Sequence, residues 1–176
     1  YGKFIWPDGK IYEGKWKEGK LVGGQGKLIK PDGKEYVGEF NNDGEPGGQG
    51  TLIYPGGTKY VGKFEDNKFH GKGILTSVDG DSYNGKFKNG KYDGLGTLIT
   101  SDEEYTGEWK SGQKYGQGEI KYSNGTRYKG EWKFGLQEGL GVLTFSNDEK
   151  IEGIFKNGMI DEGEFKDGEK IKGIFK

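Results

Sequence analysis

The chain is predicted to be all-β, an elongated, single-layer, twisted antiparallel sheet of tandem β-hairpins with no helices of note. Three observations carry this. A five-residue pattern, Tyr-x-Gly-x-Trp/Phe, recurs in register along the chain. A second pattern, Gly-x-Gly-x-Leu, falls between successive copies of the first, and short turns rich in Asn-Gly and Asp-Gly join the two. Such turns between alternating segments are the signature of antiparallel hairpins, and glycine every few residues disfavours helix.

The first pattern stands at Tyr12-Gly14-Trp16, Tyr36-Gly38-Phe40, Tyr60-Gly62-Phe64, Tyr83-Gly85-Phe87, Tyr105-Gly107-Trp109 and Tyr128-Gly130-Trp132, and decays to Ile151-Gly153-Phe155 and Ile171-Gly173-Phe175. These positions give spacings of 24, 24, 23, 22, 23, 23 and 20 residues. One supersecondary unit repeated at near-constant spacing specifies a quasi-linear array, so function is to be sought on a surface rather than in a pocket. The second pattern stands at Gly24-Gly26-Leu28, Gly48-Gly50-Leu52, Gly71-Gly73-Leu75, Gly94-Gly96-Leu98, Gly116-Gly118-Ile120 and Gly139-Gly141-Leu143. Gly2-x-Phe4 and Gly163-x-Phe165 are fainter copies at the two ends. Turn signals at Glu18-Gly19, Asn89-Gly90, Ser111-Gly112 and Asn157-Gly158 follow the first strand of a repeat. Asp8-Gly9, Asp32-Gly33, Asp79-Gly80, Asn124-Gly125 and Asp167-Gly168 follow the second.

Side chains alternate across a strand, so Tyr12, Gly14 and Trp16 share one face and Glu13 and Lys15 the other. Glycine at a strand centre weakens it unless something compensates. Here the neighbouring rings are expected to cover the bare backbone.

Composition excludes several function classes. Of 176 residues 37 are glycine and 14% are aromatic, with 27 basic against 28 acidic residues and a net charge of −1. Strong long-range attraction to nucleic acid or acidic lipid is therefore not expected. There is no cysteine, which removes disulfides and thiolate metal sites. No apolar run is long enough to cross a membrane as a helix, and no signal segment is visible. The pattern opens in mid-repeat at Tyr1, so the expectation is a piece of a longer protein, cytoplasmic in location.

The paired motifs with their x-Asn/Asp-Gly turns resemble the MORN (membrane occupation and recognition nexus) repeat over essentially the whole chain. The resemblance implies one array over residues 1–176, with about seven full copies and half copies at both ends. It also implies a grooved sheet serving as a binding or scaffolding module, with protein partners in some members and acidic lipid in others. Ile151 and Ile171 depart from the pattern by replacing the tyrosine, and Glu162-Gly163-Glu164-Phe165 by losing a glycine. The last repeats are thus expected to form a cap or a distinct interface.

No residue set for catalysis, metal or cofactor binding can be assembled. His70 is the single histidine, without a second imidazole or thiol to complete a ligand set. Gly24-Gln25-Gly26, Gly48-Gln49-Gly50 and Gly94-Leu95-Gly96 lead into strands, whereas a phosphate cradle needs a helix N-terminus. Glu39, Glu108 and Glu131 alternate with Lys15, Lys63 and Lys86 on a mixed-charge face rather than forming a catalytic pair. Asp79-Gly80-Asp81 lacks calcium-loop spacing. Asn124-Gly125-Thr126 reads as a turn in preference to a glycosylation sequon.

The candidate partner-binding residues are the rings Tyr36, Phe40, Tyr60, Phe64, Tyr83, Phe87, Tyr105, Trp109, Tyr128 and Trp132, lining a groove that an extended or helical partner segment fills. A single layer has nothing behind this face, so part of it is expected to be open. The opposite face carries Ile29, Val37, Ile53, Val61 and Ile74 in the first repeats, then Asn84, Thr106 and Lys129, a candidate second patch. A third row, Leu21, Phe69, Tyr92, Leu136 and Ile160, follows the first turns. The expected occupant is a protein or peptide. Acidic phospholipid is the alternative, on turn lysines Lys17, Lys20, Lys88, Lys91 and Lys110. Glycan stacking and self-association through open sheet edges rank lower.

Overall fold

The computed structural model describes residues 1–18, 20–165 and 170–175. Gly19, the Asp167-Gly168 turn and the side chains of Leu21, Phe165, Ile171 and Phe175 lie outside what is described. Every regular element among the described residues is a strand, and every pairing is antiparallel between strands adjacent in sequence or nearly so. The chain divides into two compact units, Tyr1–Lys91 and Tyr92–Lys176.

In the first unit the strands are β1 (Gly2–Ile5), β2 (Ile11–Gly14), β5 (Gly24–Ile29), β6 (Glu35–Phe40), β7 (Pro46–Ile53), β8 (Lys59–Glu65), β9 (Lys68–Thr76) and β10 (Ser82–Lys88), hydrogen-bonded in that order. Two short strands, β3 (Trp16–Lys17) and β4 (Lys20–Leu21), form a separate ladder. The second unit repeats the scheme with β11 (Lys91–Ile99), β12 (Glu103–Lys110), β13 (Gln113–Tyr122), β14 (Arg127–Lys133), β15 (Leu136–Thr144), β16 (Lys150–Lys156), β17 (Met159–Phe165) and β18 (Lys170–Phe175).

The register aligns the glycines of neighbouring strands. In the first unit Gly26, Gly38, Gly50, Gly62, Gly73 and Gly85 face one another in succession. In the second, Gly96, Gly107, Gly118, Gly130, Gly141, Gly153 and Gly163 do the same. The motif tyrosines lie over this bare row, and in all but Tyr12, whose buried hydroxyl has no partner among the described residues, the hydroxyl donates to the backbone carbonyl three residues on. Tyr36 reaches Glu39 at 2.6 Å, Tyr60 reaches Lys63 at 2.9 Å, and Tyr83, Tyr105 and Tyr128 reach Lys86, Glu108 and Glu131 at 3.0 Å. The strand glycines thus exchange intrinsic stability for ring burial and a satisfied hydroxyl, the latter alone contributing about 1 kcal/mol.

Two extra residues on the second strand shift the register within these repeats, between Gly38 and Phe40, Gly62 and Lys63, Gly107 and Glu108, and Gly130 and Trp132. Pairing between repeats, as in β7–β8 and β13–β14, stays regular. The slip is a bulge, and the first glycine of the second motif absorbs it: Gly48, Gly71, Gly116 and Gly139 have φ of 76°, 59°, 60° and 70°.

Two turn classes alternate. Asp66-Asn67, Asn89-Gly90, Ser111-Gly112, Phe134-Gly135 and Asn157-Gly158 have positive φ at both residues, the two-residue hairpin turn expected. The Asp-Gly turns are longer. Gly9 N–H donates to Trp6, Gly33 to Lys30 and Gly125 to Tyr122, while Asp8, Asp32 and Asn124 accept from the N–H two residues on at 3.0, 3.1 and 2.9 Å. This is a type I turn closed by a left-handed glycine rather than a two-residue loop.

Candidate functional site

The ten rings expected to line an open groove are instead the core. Tyr36, Phe40, Tyr60, Phe64, Tyr83, Phe87, Tyr105, Trp109, Tyr128 and Trp132 are each between 0% and 6% exposed. Within each unit they interlock edge to face. Tyr36 meets Phe40 and Phe64 at centroid distances of 5.0 and 4.9 Å, and Tyr60 meets Phe64 and Phe87 at 5.0 and 5.1 Å. Tyr105 meets Trp109 and Trp132 at 5.0 and 5.2 Å, and Tyr128 meets Trp132 and Phe155 at 5.3 and 4.7 Å. Such pairs add about 0.5–1.5 kcal/mol each beyond area burial. Where the anchor is tryptophan, its indole N–H donates to a glycine carbonyl: Trp16 to Gly2, Trp109 to Gly96 and Trp132 to Gly118, at 3.1, 3.1 and 3.2 Å.

The bulge explains the burial. It bends the second strand of the repeat and sets one side chain directly opposite each anchor ring. Pro46 pairs with Phe40, Phe69 with Phe64, Lys114 with Trp109, Gln137 with Trp132 and Ile160 with Phe155. Phe69 stacks on Tyr60 at 3.8 Å with planes 10° apart. Tyr92, also expected in this row, meets Trp109 edge on at 5.2 Å. Leu136 does not belong to the row. It pairs with Lys133 and is exposed, and Gln137 takes the place beside Trp132. Counting in steps of two back from Gly141 and Gly139 reaches Gln137, so strand parity held this answer and apolar character misdirected it.

Lys114 caps its rings as a cation. Its Nζ lies 5.2 Å from the Tyr105 ring centre, 5.3 Å from that of Trp132, and 2.6 Å from Glu103 Oε1 in a half-buried ion pair. Nothing in the sequence marked this lysine apart from its register with Phe69. Burial holds the phenols in their neutral form: Tyr60 is pushed from 10.0 up to about 12, and Tyr36, Tyr105 and Tyr128 are also raised, with nearby Glu39, Glu108 and Glu131 adding to the shift.

The opposite face is the open one. In the first unit Val37, Thr51, Val61 and Ile74 are consecutive cross-strand partners, flanked by Lys27 and Asn84. Val37 is 48%, Val61 43%, Ile74 44% and neighbouring Ile53 40% exposed, while Ile29 is half-buried. The equivalent row of the second unit is Thr97, Thr106, Glu119, Lys129, Val142 and Glu152. An open concavity of about 420 Å³ there is lined by Glu104, Glu119, Lys121 and Lys129 among others.

Among the described residues no three His, Asp or Glu side chains come close enough to hold a metal ion. His70 Nε2 lies 3.1 Å from Glu65 Oε2 at a half-buried margin. Asn124 uses its side chain within its turn. Glu39 and Glu108 accept N–H bonds from Gln49 and Gln117 at 2.9 and 3.0 Å, and so brace the bulge.

One surface feature escaped the sequence reading. Phe134 occupies a turn position held elsewhere by Asp, Asn or Ser, with φ of 53° and 65% of its surface exposed. A bulky residue in that conformation is an outlier. Exposed Leu136 lies in the same turn.

The family described as MORN repeat matches residues 1–11, 12–35, 36–59, 60–82, 83–103, 105–127 and 128–150. Comparison with curated proteins gives no match. Among solved structures, the chain is similar to the SAS-4 (dCPAP) TCP domain of Drosophila melanogaster, in complex with a proline-rich motif of Ana2 (dSTIL). Identity is 12% and TM-score 0.49, over 97% of this chain and 86% of that one. It is also similar to the TCP10 domain of Danio rerio CPAP in complex with a peptide of STIL. There identity is 13% and TM-score 0.35, over 96% and 91% of the two chains.

Proposed function

Because the chain belongs to the MORN-repeat family, we propose that it is a non-enzymatic interaction module that binds a segment of a partner protein on the outward face of its sheet. The observation that carries this reading is the contrast between faces. The rings are spent on covering glycines and one another, whereas Val37, Ile53, Val61 and Ile74 stand exposed on adjacent paired strands. A contiguous apolar patch with a polar rim is the usual mark of an interaction site. The rings act indirectly, by setting the strand geometry that presents this face. Glu39 and Glu108 brace the bulges and Glu65 pairs with His70, which supports a binding role over catalysis.

The test is site-specific photocrosslinking from position 61 in the intact chain, compared with position 106 on the same face of the second unit. Crosslinks to a discrete partner at 61, abolished by Ile74→Asp in a protein that still folds, are expected. Equal crosslinking at both positions, unaffected by Ile74→Asp, overturns the assignment.

A second reading, peripheral binding to acidic lipid, is favoured by the turn tips. Lys88, Lys110, Lys133 and Lys156 each immediately precede a two-residue turn and are exposed, and Phe134 and Leu136 project beside Lys133. Each lysine near an acidic membrane contributes about 1 kcal/mol, and an exposed aromatic adds an interfacial anchor. Sedimentation with acidic vesicles tests it. Binding that weakens in Phe134→Asn supports it, and absence of salt-sensitive binding removes it.

A further inference from the structure

The lysines around the exposed aliphatic row narrow the partner's chemistry. On the outward face of β8–β10, Lys59 and Lys63 flank Val61, Lys72 precedes Ile74 by two residues, and Lys86 follows Asn84 by two. Lys72 and Lys86 are direct cross-strand partners. Like charges directly opposite one another cost stability in a sheet. Among the described residues, none of the four ammonium groups has a carboxylate within ion-pair distance. The nearby acids are engaged elsewhere: Glu35 with Lys27 at 2.9 Å, Glu39 with the Gln49 N–H, and Glu65 with His70. The result is an aliphatic row with Lys63, Lys72 and Lys86 along one side and Lys59 on the other, although the chain as a whole carries a net charge of −1. The matching row in the second unit has no such separation, since Glu119 and Lys129 alternate there.

Spacing restricts the shape of the occupant. Val37, Thr51, Val61 and Ile74 sit on successive strands, which lie about 4.8 Å apart. A helix laid across the strands presents a side chain to one face every turn, about 5.4 Å, and so drifts by about 0.6 Å per strand. An extended segment presents one every two residues, about 6.7 Å, and loses register within two strands.

Resting on the interaction-module reading, we infer that the outward face of β6–β10 docks an acidic amphipathic helix. Its apolar side chains at i, i+7 and i+11 meet Val37, Val61 and Ile74, and its carboxylates on one flank meet Lys63, Lys72 and Lys86. The face takes a protein segment rather than a lipid headgroup or nucleic acid. The lysines border aliphatic side chains of a sheet interior instead of projecting from its edge, and the face offers no exposed ring on which a base would stack.

The experiment uses the intact chain and two synthetic helical peptides of about 14 residues, spanning about 21 Å. Both carry leucine at i, i+7 and i+11, one with glutamate on the flanks and the other with lysine, and binding is read by fluorescence anisotropy. The glutamate peptide is expected to bind at least about tenfold more tightly than the lysine peptide, with the gap shrinking as salt rises. Lys72→Glu with Lys86→Glu, and separately Val61→Asp, each weaken it by about tenfold or more, with urea denaturation verifying the fold. Lys72→Gln with Lys86→Gln gives an intermediate loss and guards against a folding artefact. Equal affinity for the two peptides, or no response to the lysine variants, overturns the proposal. So does loss of acidic-vesicle binding, rather than peptide binding, in Lys72→Glu. The two readings fail separately. If photocrosslinks from position 61 vanish in Ile74→Asp but persist in the lysine variants, the interaction module stands and the acidic helix falls.

Discussion

The phenol ring of Tyr60 rests directly on Gly73 of the neighbouring strand, and a Cβ added to that glycine would lie 2.6 Å from the ring carbon Cζ. The same ring is held from the other side by Phe69 and tied by its hydroxyl to the Lys63 carbonyl. Neither residue can change without the other, which accounts for both motifs recurring together.

Gly73→Ala is therefore expected to destabilise the chain by about 1–3 kcal/mol through overpacking. Gly56→Ala, at a turn with nothing within 4 Å of the new methyl, is expected to change stability by less than about 0.5 kcal/mol. Urea denaturation of the two variants compares them. Equal midpoints would show that the ring can move aside.

Lys114 and Phe69 hold equivalent places over their rings, one as a cation and one as a stacked ring. Lys114→Phe is expected to keep stability within about 1 kcal/mol or raise it, because the half-buried ion pair with Glu103 contributes little net. Lys114→Asp, which leaves two carboxylates facing one another, is expected to cost at least about 2 kcal/mol. Thermal denaturation of both variants, each with and without Glu103→Gln, measures the coupling.

The buried phenols make stability depend on alkaline pH. Their folded pKa values lie above the ordinary 10.0, with Tyr60 at about 12, so the unfolded chain loses its phenolic protons first. Their contribution is complete below pH 10 and is lost as pH rises toward and through 12. Tyrosinate absorbance and circular dichroism followed together are expected to change in one cooperative step above pH 10 for these residues. Independent titration of all tyrosines at the ordinary value, with the sheet intact, would contradict the burial.

Phe134→Asn is expected to raise stability by about 0.5–1 kcal/mol, since asparagine enters the left-handed region at lower cost than phenylalanine. The thermal midpoint should rise while far-ultraviolet circular dichroism stays the same. A fall would mean that the exposed ring contributes packing within the folded chain.

Much of this was legible without coordinates. The period of Tyr-x-Gly-x-Trp/Phe, the interleaved Gly-x-Gly and the turn dipeptides sufficed for antiparallel hairpins and for rings over glycines. Local chemistry dictates each of these: alternation places Tyr60, Gly62 and Phe64 on one face, and Asn89-Gly90 accepts two positive φ angles. The outward patch was legible too, because Val37, Val61 and Ile74 share a parity.

What the sequence alone determined is the repeat, its strands and which side chains share a face, since these follow from backbone alternation and turn geometry within a few residues. Tertiary structure decided which face is open. The two-residue slip absorbed at Gly48, Gly71, Gly116 and Gly139 bends each hairpin and brings Pro46, Phe69, Lys114 or Gln137 against the rings, converting an expected groove into a core. A bulge depends on pairing with a second strand, and periodicity along one strand carries no trace of it.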